Sequence, residues 1–138
     1  MPACVLRVSG STRKIKKFLT DSIFIPDTVY YRGEPHFIKS RGINKISGFN
    51  YTVSGNHGNS ILKQAKDVIW NIERMRSEFE RLSSFHFKSQ VLDFGLNDLS
   101  SEECPWPTYH LPMKLISLAA EFRFEIELSF YGRIDKKD

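Results

Sequence analysis

The segment from Gly55 to Ser60 carries the residue types best suited to chemistry, since it reads Gly-Asn-His-Gly-Asn-Ser and precedes the longest predicted helix. The free N–H groups at a helix N-terminus attract anions, and glycines let a phosphate approach the backbone closely. The segment has neither the Gly-Lys-Ser/Thr of a phosphate loop nor the dinucleotide fingerprint. We interpret it either as a weak anion site at Gly55, His57 and Gly58 or as a turn that only caps a helix.

His57 is the histidine with the strongest claim to act as a catalyst. Ser54 and Ser60 lie close to it in the sequence, but a nucleophile needs a base within hydrogen-bond reach and a third group that orients the base. The sequence places no Asp or Glu behind His57. The alternative is an exposed loop histidine, so we predict no catalytic residue and no enzymatic activity.

Ligands for a metal ion are also poorly arranged in the sequence. Cys104 and His110 lie in a proline-rich loop, but the chain has neither a Cys-x-x-Cys pair nor two histidines at i, i+4 spacing. Most zinc sites show one of these patterns. Cys4 falls in a predicted strand and is expected in the core. We therefore predict no metal site and no cofactor.

Positive charge is concentrated near the N-terminus. Residues 1–45 contain nine Lys/Arg and three Asp/Glu, a net charge of +6, whereas residues 46–138 contain eleven and thirteen, a net charge of −2. Arg13, Lys14 and Lys17 surround a predicted short helix and could contact phosphates. The alternative is a solvated surface, because the chain lacks the aromatic signature of RNA-recognition modules. We add these three residues to the weak anion site and keep nucleic acid as the less favoured partner.

Trp70 is out of place on an amphipathic helix. It lies about 160° from the centre of the apolar stripe of the predicted helix Ser60–Ser84, at 100° per residue. Either the acidic loop Gly95–Tyr109 covers the indole through Trp106 and Tyr109, which we favour, or a partner protein binds it, since Trp and Arg anchor many interfaces. The predicted partner-binding residues are Trp70, Arg74, Asp98, Glu102, Glu103 and Trp106.

Hydrophobic spacing and turn residues predict the elements that carry these side chains. The predicted elements are a strand at Cys4–Val8, a helix ending near Thr20, extended segments at Ile23–Pro26, Val29–Tyr31 and His36–Lys39, a strand at Ile46–Ser54, the helix Ser60–Ser84, a strand at His86–Phe94, the loop Gly95–Tyr109 and a helix at Pro112–Glu121.

The final strand is the clearest element of the sequence. From Phe122 to Tyr131, apolar and polar residues alternate without a break, and side chains on a strand change face at every residue. The residues of the predicted apolar face are Phe122, Phe124, Ile126, Leu128 and Phe130. Such a strand belongs in a sheet that is covered on one side.

The chain is therefore predicted to be one α+β domain, residues 1–138, with a ferredoxin-like βαββαβ order and an αβ extension. One mostly antiparallel sheet with helices on one face would bury every apolar stripe. No apolar run approaches the roughly 20 residues of a membrane span, and the N-terminus lacks the pattern of a signal peptide. We expect a cytoplasmic protein with no membrane contact.

Short segments spread over most of the chain carry a family resemblance. They are Leu6–Gly10 ahead of a short helix, Ile25-Pro26 before Tyr31–Pro35, and Leu118–Ala120 leading into Glu125–Tyr131. Together they resemble an uncharacterised bacterial family, the domain-of-unknown-function family numbered four-two-seven-nine. The chain departs from that pattern in the middle, where Phe49 or Tyr51 replaces an expected tryptophan, and in the loop of residues 95–110.

The resemblance implies a single-domain α+β module with no established catalytic residues, and some such proteins resemble immunity proteins encoded beside bacterial toxins. With no catalytic constellation in the sequence, our leading hypothesis is a small bacterial binding protein, of the kind that neutralises a toxin by protein–protein contact. The alternative is a nucleic-acid-binding module that uses the basic N-terminal third. The sequence leaves the oligomeric state undetermined.

Overall fold

A computed structural model describes residues 3–132 as an α+β protein with one five-stranded sheet. The strands are β1 (Cys4–Gly10), β2 (Thr28–Tyr30), β3 (Ser47–Ser54), β4 (Ser89–Asn97) and β5 (Glu125–Tyr131). The helices are α1 (Thr12–Thr20), α2 (Ile61–Arg74), α3 (Arg76–Ser84) and α4 (Met113–Glu121). Across the sheet the strands follow the order β2-β3-β1-β4-β5.

The sheet is mixed, whereas the sequence predicted a mostly antiparallel one. The difference lies at the β5 edge. β1 pairs antiparallel with β3 and with β4, and β2 pairs antiparallel with β3. β5 instead runs parallel to β4. β4 and β5 are parallel because α4 returns the chain to the starting end of the sheet before β5 begins. Such a crossover connection joins parallel strands.

One face of the sheet forms the core. Leu6 lies between Tyr51 of β3 and Leu92 of β4, and alternate residues along each strand share its face. The strand residues buried on this face are Cys4, Leu6, Val8, Phe49, Val53, Leu92, Phe94 and Leu96. The helix residues buried in the same cluster include Ile15, Phe18, Ala65, Val68, Ile72, Phe79, Leu82, Leu115 and Leu118. The helices therefore pack against this face, and the expected core position of Cys4 is confirmed.

Phe18 of α1 is the centre of an aromatic cluster in this core. Its ring centroid lies between 5.4 and 6.0 Å from those of four other rings, which belong to Phe24, Phe49, Phe85 and Phe87. The Arg81 guanidinium lies 4.6 Å from the Phe18 ring centroid, and its Nη2 donates to the Phe18 carbonyl at 2.9 Å. The cluster thus joins α1 and α3 to β3.

The predicted helix Ser60–Ser84 is wrong as one element, because the helix is interrupted at Met75 (φ −112°, ψ 34°). No glycine or proline marks this position in the sequence. The two helices on either side of the interruption pack against different parts of the structure. α2 contacts β3 and β4, whereas Phe79 of α3 packs against Phe24 and Phe124. Tertiary contacts therefore end the first helix where the local sequence would continue it.

The predicted starts of β4 and β5 are three residues early, for related reasons. His86 has φ 51° and lies in the turn that ends α3, where its N–H donates to the Ser83 carbonyl at 3.3 Å. Arg123 has φ 61°, and Phe124 N–H donates to the Ala119 carbonyl at 2.7 Å, which closes the C-terminal turn of α4. Left-handed residues in these turns place the flanking phenylalanines inward, so an alternating pattern continues outside the strands.

The segments predicted to be extended between residues 23 and 39 contribute only Thr28–Tyr30 to the sheet. The predicted strand His36–Lys39 is wrong: Lys39–Arg41 forms a short 3-10 turn. Gly42 reverses the chain with φ 72°, and Pro35 and Ile43 form an isolated antiparallel bridge. Residues 31–46 therefore fold back on themselves.

The second face of the sheet points away from the helices and is mainly polar, and it holds one buried carboxylate. Asp93 of β4 forms an ion pair with Arg7 of β1 and accepts a hydrogen bond from the Ser129 hydroxyl of β5 at 2.6 Å. These contacts join three neighbouring strands. Among residues 3–132, no helix has the length and apolar character needed to cross a membrane.

We expect Phe18→Ala to lower the free energy of unfolding by about 3–5 kcal/mol, because it leaves a cavity among four aromatic rings. Urea denaturation followed by circular dichroism measures this loss. Phe37→Ala is the matched control, since it deletes the same ring from a side chain that is 80% exposed and should change stability by less than about 0.5 kcal/mol. Equal losses for both variants would contradict this assignment of the core.

Candidate functional site

Trp70 projects from the outer side of α2 and is 60% exposed. The guanidinium of Arg74, one turn further along the helix, lies 4.4 Å from the centroid of the indole. A cation over an indole face is attracted by the ring quadrupole. Trp70 and Arg74, which the sequence grouped together, are therefore in direct contact and form one amphipathic surface.

Asn71 connects this surface to the sheet, and sequence reasoning missed it. Its side-chain Nδ2 donates to the Val53 carbonyl of β3 at 2.6 Å, and its Oδ1 accepts from Arg74 Nη2 at 2.9 Å. Arg74 is thereby held over Trp70 by a chain of bonds that starts at the sheet backbone. An Asn between Trp70 and Arg74 on a helix was the available signal, but its inward direction depends on where β3 lies.

The expected cover over Trp70 is absent, and this prediction is wrong. Trp106 is 86% exposed. Tyr109 turns to β5, where its ring centroid lies 5.4 Å from that of Phe130 and its hydroxyl donates to the Asn97 carbonyl at 3.2 Å. The loop is anchored on the ends of β4 and β5 and leaves the indole of α2 open.

Two acidic residues of this loop lie within a small turn, and a third precedes it. Asp98 follows β4, and its carboxylate accepts from the Ser100 N–H at 2.9 Å. Glu102 and Glu103 are exposed beside Cys104, whose N–H donates to the Ser101 hydroxyl at 2.9 Å. The loop therefore offers an exposed acidic surface next to Trp106, separate from the Trp70–Arg74 contact.

The glycine segment before α2 is fixed by its neighbours. Gly58 is buried against β4, and its carbonyl accepts from the Asn97 N–H at 3.0 Å. The Ser60 hydroxyl caps α2 by accepting from the Lys63 N–H at 3.3 Å, while Gly55 and His57 are exposed. None of the hydrogen bonds found within residues 3–132 joins the His57 ring to a carboxylate.

The two parts of the predicted anion site lie at opposite ends of the sheet. Cys4 pairs with Ser54, so Gly55, His57 and Gly58 follow β3 at that end of β1. Gly10, at the other end of β1, precedes α1 and its basic residues. Seven strand residues separate these ends, roughly 20 Å at 3.3 Å per residue. The structure therefore does not bring these two groups together.

The basic residues of α1 instead form a groove with the end of α3. A cavity of about 560 Å³ is lined by Ser11, Arg13, Lys14, Lys17, Ser84 and Phe85. Lys14 Nζ donates to the His86 carbonyl at 3.4 Å. The lining holds three basic groups, no acidic group and one aromatic ring, a combination that suits a phosphate-bearing ligand.

A second cavity was not foreseen from the sequence. It measures about 510 Å³ and lies beneath the folded segment of residues 31–46, on the polar face of the sheet. Its lining includes Tyr30, Phe37, Arg41, Ile43, Lys45 and Ile46. The sequence showed only scattered apolar residues in a basic loop. The turn at Gly42 brings these residues together in the folded chain, which the sequence pattern did not indicate.

The two cysteines are free thiols. Cys4 is fully buried, and burial raises the pKa of its thiol far above the ordinary value, with the Asp93 charge adding to the effect. Cys104 is exposed. Within residues 3–132, no group of three or more His, Cys, Asp and Glu side chains is arranged to hold a metal ion.

Comparisons of the chain with protein-family models, with curated proteins and with solved structures found no match. The family resemblance of the short segments stays a prediction. The function is therefore argued from the geometry of this chain.

Gly58→Ala is expected to lower the free energy of unfolding by about 1–3 kcal/mol through overpacking. A Cβ at this position would lie 2.7 Å from Asn97 N and from Gly95 O, which are backbone atoms of β4. Gly55→Ala is the control, since no heavy atom beyond its two chain neighbours lies within 4 Å of its Cβ position. Thermal unfolding compares the two, and an unchanged Gly58→Ala variant would mean that the segment is not packed on β4.

Proposed function

We propose that this chain is a small non-catalytic binding protein that acts by contact with another protein. The exposed Trp70 under the Arg74 guanidinium carries the proposal. Trp and Arg are enriched among the residues that dominate interface energies. Because Asn71 already holds Arg74 in place, binding would cost less side-chain entropy than an interface built from free side chains.

The acidic loop supplies a second contact in this proposal. Glu102, Glu103 and Trp106 are all exposed, and Asp98 lies at the base of the same loop. A partner with basic residues opposite this loop would be recognised by charge complementarity, which mainly raises the association rate. We propose a partner that contacts Trp70, Arg74 or this loop.

The family resemblance supports one kind of partner, namely a toxin that the protein neutralises as an immunity protein. A cytoplasmic location is part of this proposal, and the two free thiols are compatible with a reducing compartment. A ferredoxin-like arrangement is also proposed for β1 to β4. The chain order and the three antiparallel pairings favour it, with β5 added as a parallel edge.

We expect Trp70→Ala to weaken binding to the partner by about 2 kcal/mol, or roughly 30-fold in Kd. The partner is captured from a lysate of the native host on the immobilised wild-type protein, identified and purified. Its affinity is then measured by isothermal titration calorimetry. Arg74→Lys should weaken binding by a smaller factor, because Lys keeps the charge but loses the planar fork.

Lys63→Ala is the control, since Lys63 is an exposed residue of the same helix and lies two helical turns before Trp70. The loop is tested separately by the double substitution Glu102→Gln and Glu103→Gln. Full affinity of both the Trp70 variant and the loop variant would rule out these surfaces as the binding site.

A nucleic-acid-binding function is the second candidate, and the groove beside α1 favours it. Arg13, Lys14 and Lys17 line this groove without an acidic neighbour in the lining. A nucleic-acid backbone could bind there through phosphate contacts.

For this candidate, the affinity for generic RNA or DNA should fall steeply as salt is raised, because phosphate binding releases counterions. The double substitution Lys14→Ala and Lys17→Ala should reduce the slope of log K against log salt by roughly 1–2. Fluorescence anisotropy over a salt series measures both. Binding without salt dependence, or no binding, removes the candidate.

A further inference from the structure

β5 is the last strand of the sheet, and residues 3–132 provide no neighbouring strand on its outer side. The Tyr131 carbonyl accepts a hydrogen bond from the Asp98 N–H at 3.1 Å, on the β4 side. Successive residues of a strand point their N–H and C=O groups to opposite sides. The backbone groups that face β4 therefore belong to Glu125, Glu127, Ser129 and Tyr131, and those that face outward belong to Ile126, Leu128 and Phe130.

The outward residues also carry uncovered apolar side chains. Leu128 is 36% exposed and Phe130 is 54% exposed. Tyr109 contacts the Phe130 ring at an interplanar angle of 61°. A strand edge that combines free backbone groups with exposed apolar side chains is a template for another strand.

We propose that β5 pairs antiparallel with β5 of a second copy of this chain, with Leu128 facing its own counterpart. A two-fold axis through this position makes the interface self-complementary and closed. The pairing extends each five-stranded sheet into one continuous sheet across the dimer. It covers the apolar edge that residues 3–132 leave open.

Charge and hydrogen bonding together select this register. With the axis at Leu128, Glu127 faces Ser129, Glu125 faces Tyr131 and Ile126 faces Phe130 of the second copy. No carboxylate then faces another, and the Ile–Phe pairs are of the aromatic and β-branched type that stabilises sheets. All three outward residues are paired, with two backbone bonds for each pair.

Neighbouring registers are worse for one of two reasons. Moving the axis to Glu127 or Ile126 places Glu127 opposite a glutamate of the second copy, and like charges directly opposite are destabilising. Moving it to Ser129 avoids this repulsion, but Ile126 then slides past the end of β5, and its backbone bonds are lost. Glu125 and Glu127, on the polar face of the sheet, therefore disfavour the shifted registers but do not prevent pairing in the proposed one.

Charge-swapped variants test the symmetry of the interface. Leu128→Lys and Leu128→Glu each place like charges opposite each other at the axis, so each alone should raise the dimer dissociation constant at least roughly tenfold. An equimolar mixture should restore a dimer, because Lys then faces Glu. Sedimentation velocity distinguishes the 16.0 kDa monomer from the dimer, and circular dichroism checks that each variant is folded.

Cysteine cross-linking tests the register in a Cys104→Ser background, since Cys104 is exposed and Cys4 is buried. In a hydrogen-bonded antiparallel pair the Cα atoms are about 5.5 Å apart, a separation that a disulfide spans. Leu128→Cys should therefore form an intermolecular disulfide under mild oxidation. Glu127→Cys and Ser129→Cys report the two shifted registers and should react more slowly. Lys63→Cys, on the exposed side of α2, gives the background rate.

Three results would overturn the proposal. The first is a wild-type protein that remains monomeric at every concentration, together with cross-linking of Leu128→Cys no faster than that of Lys63→Cys. The second is faster cross-linking at Glu127→Cys or Ser129→Cys, which rejects the register. A folded charge-swapped mixture that stays monomeric also counts against the two-fold axis at Leu128.

Discussion

The structure depends on a sheet that buries only one of its faces. Leu6, Phe49 and Phe94, each on a different strand, point to the helices. Their neighbours along each strand point to the opposite face of the sheet. Because side chains on a strand alternate between faces, a shift of one residue would bury the polar set and expose the apolar set. This constraint fixes the register of the central strands and leaves the outer face polar.

Two consequences of this one-sided arrangement bear on function. Helices stacked on a single face have an outer side of their own, and Trp70 is exposed there. The sheet still positions that surface. Asn71 is hydrogen-bonded to the Val53 carbonyl of β3, and Arg74 is hydrogen-bonded to Asn71. The polar face retains room for the folded segment of residues 31–46 and for the ion pair of Arg7 with Asp93.

The edges of the sheet follow from the same architecture. β2 is a strand of only three residues, too short for stable pairing with another strand. β5 has seven residues and an apolar side that residues 3–132 leave uncovered. Natural sheets restrict such edges by charge, shortness or cover. Here Glu125 and Glu127 are the only charges of β5, and they lie on the open face. Charge on this edge therefore restricts which strands can pair with it.

The sequence by itself determined most elements and their order. Ser60 predicted a helix start that is confirmed, and the helical stripe from Ile61 to Leu82 is buried except for the half-buried Met75. These signals are local, since capping and amphipathic spacing operate within one or two turns. The contact of Trp70 with Arg74 was also predictable in outline, because residues four apart on a helix are neighbours.

Only the tertiary structure decided the rest. The parallel edge of β5, the interruption at Met75 and the left-handed turns at His86 and Arg123 all arise where distant segments pack together. The open position of Trp70 has the same origin, because Tyr109 finds its partner on β5 and draws the loop there. Periodicity records which side of an element is apolar, but it carries no information about which distant element meets that side.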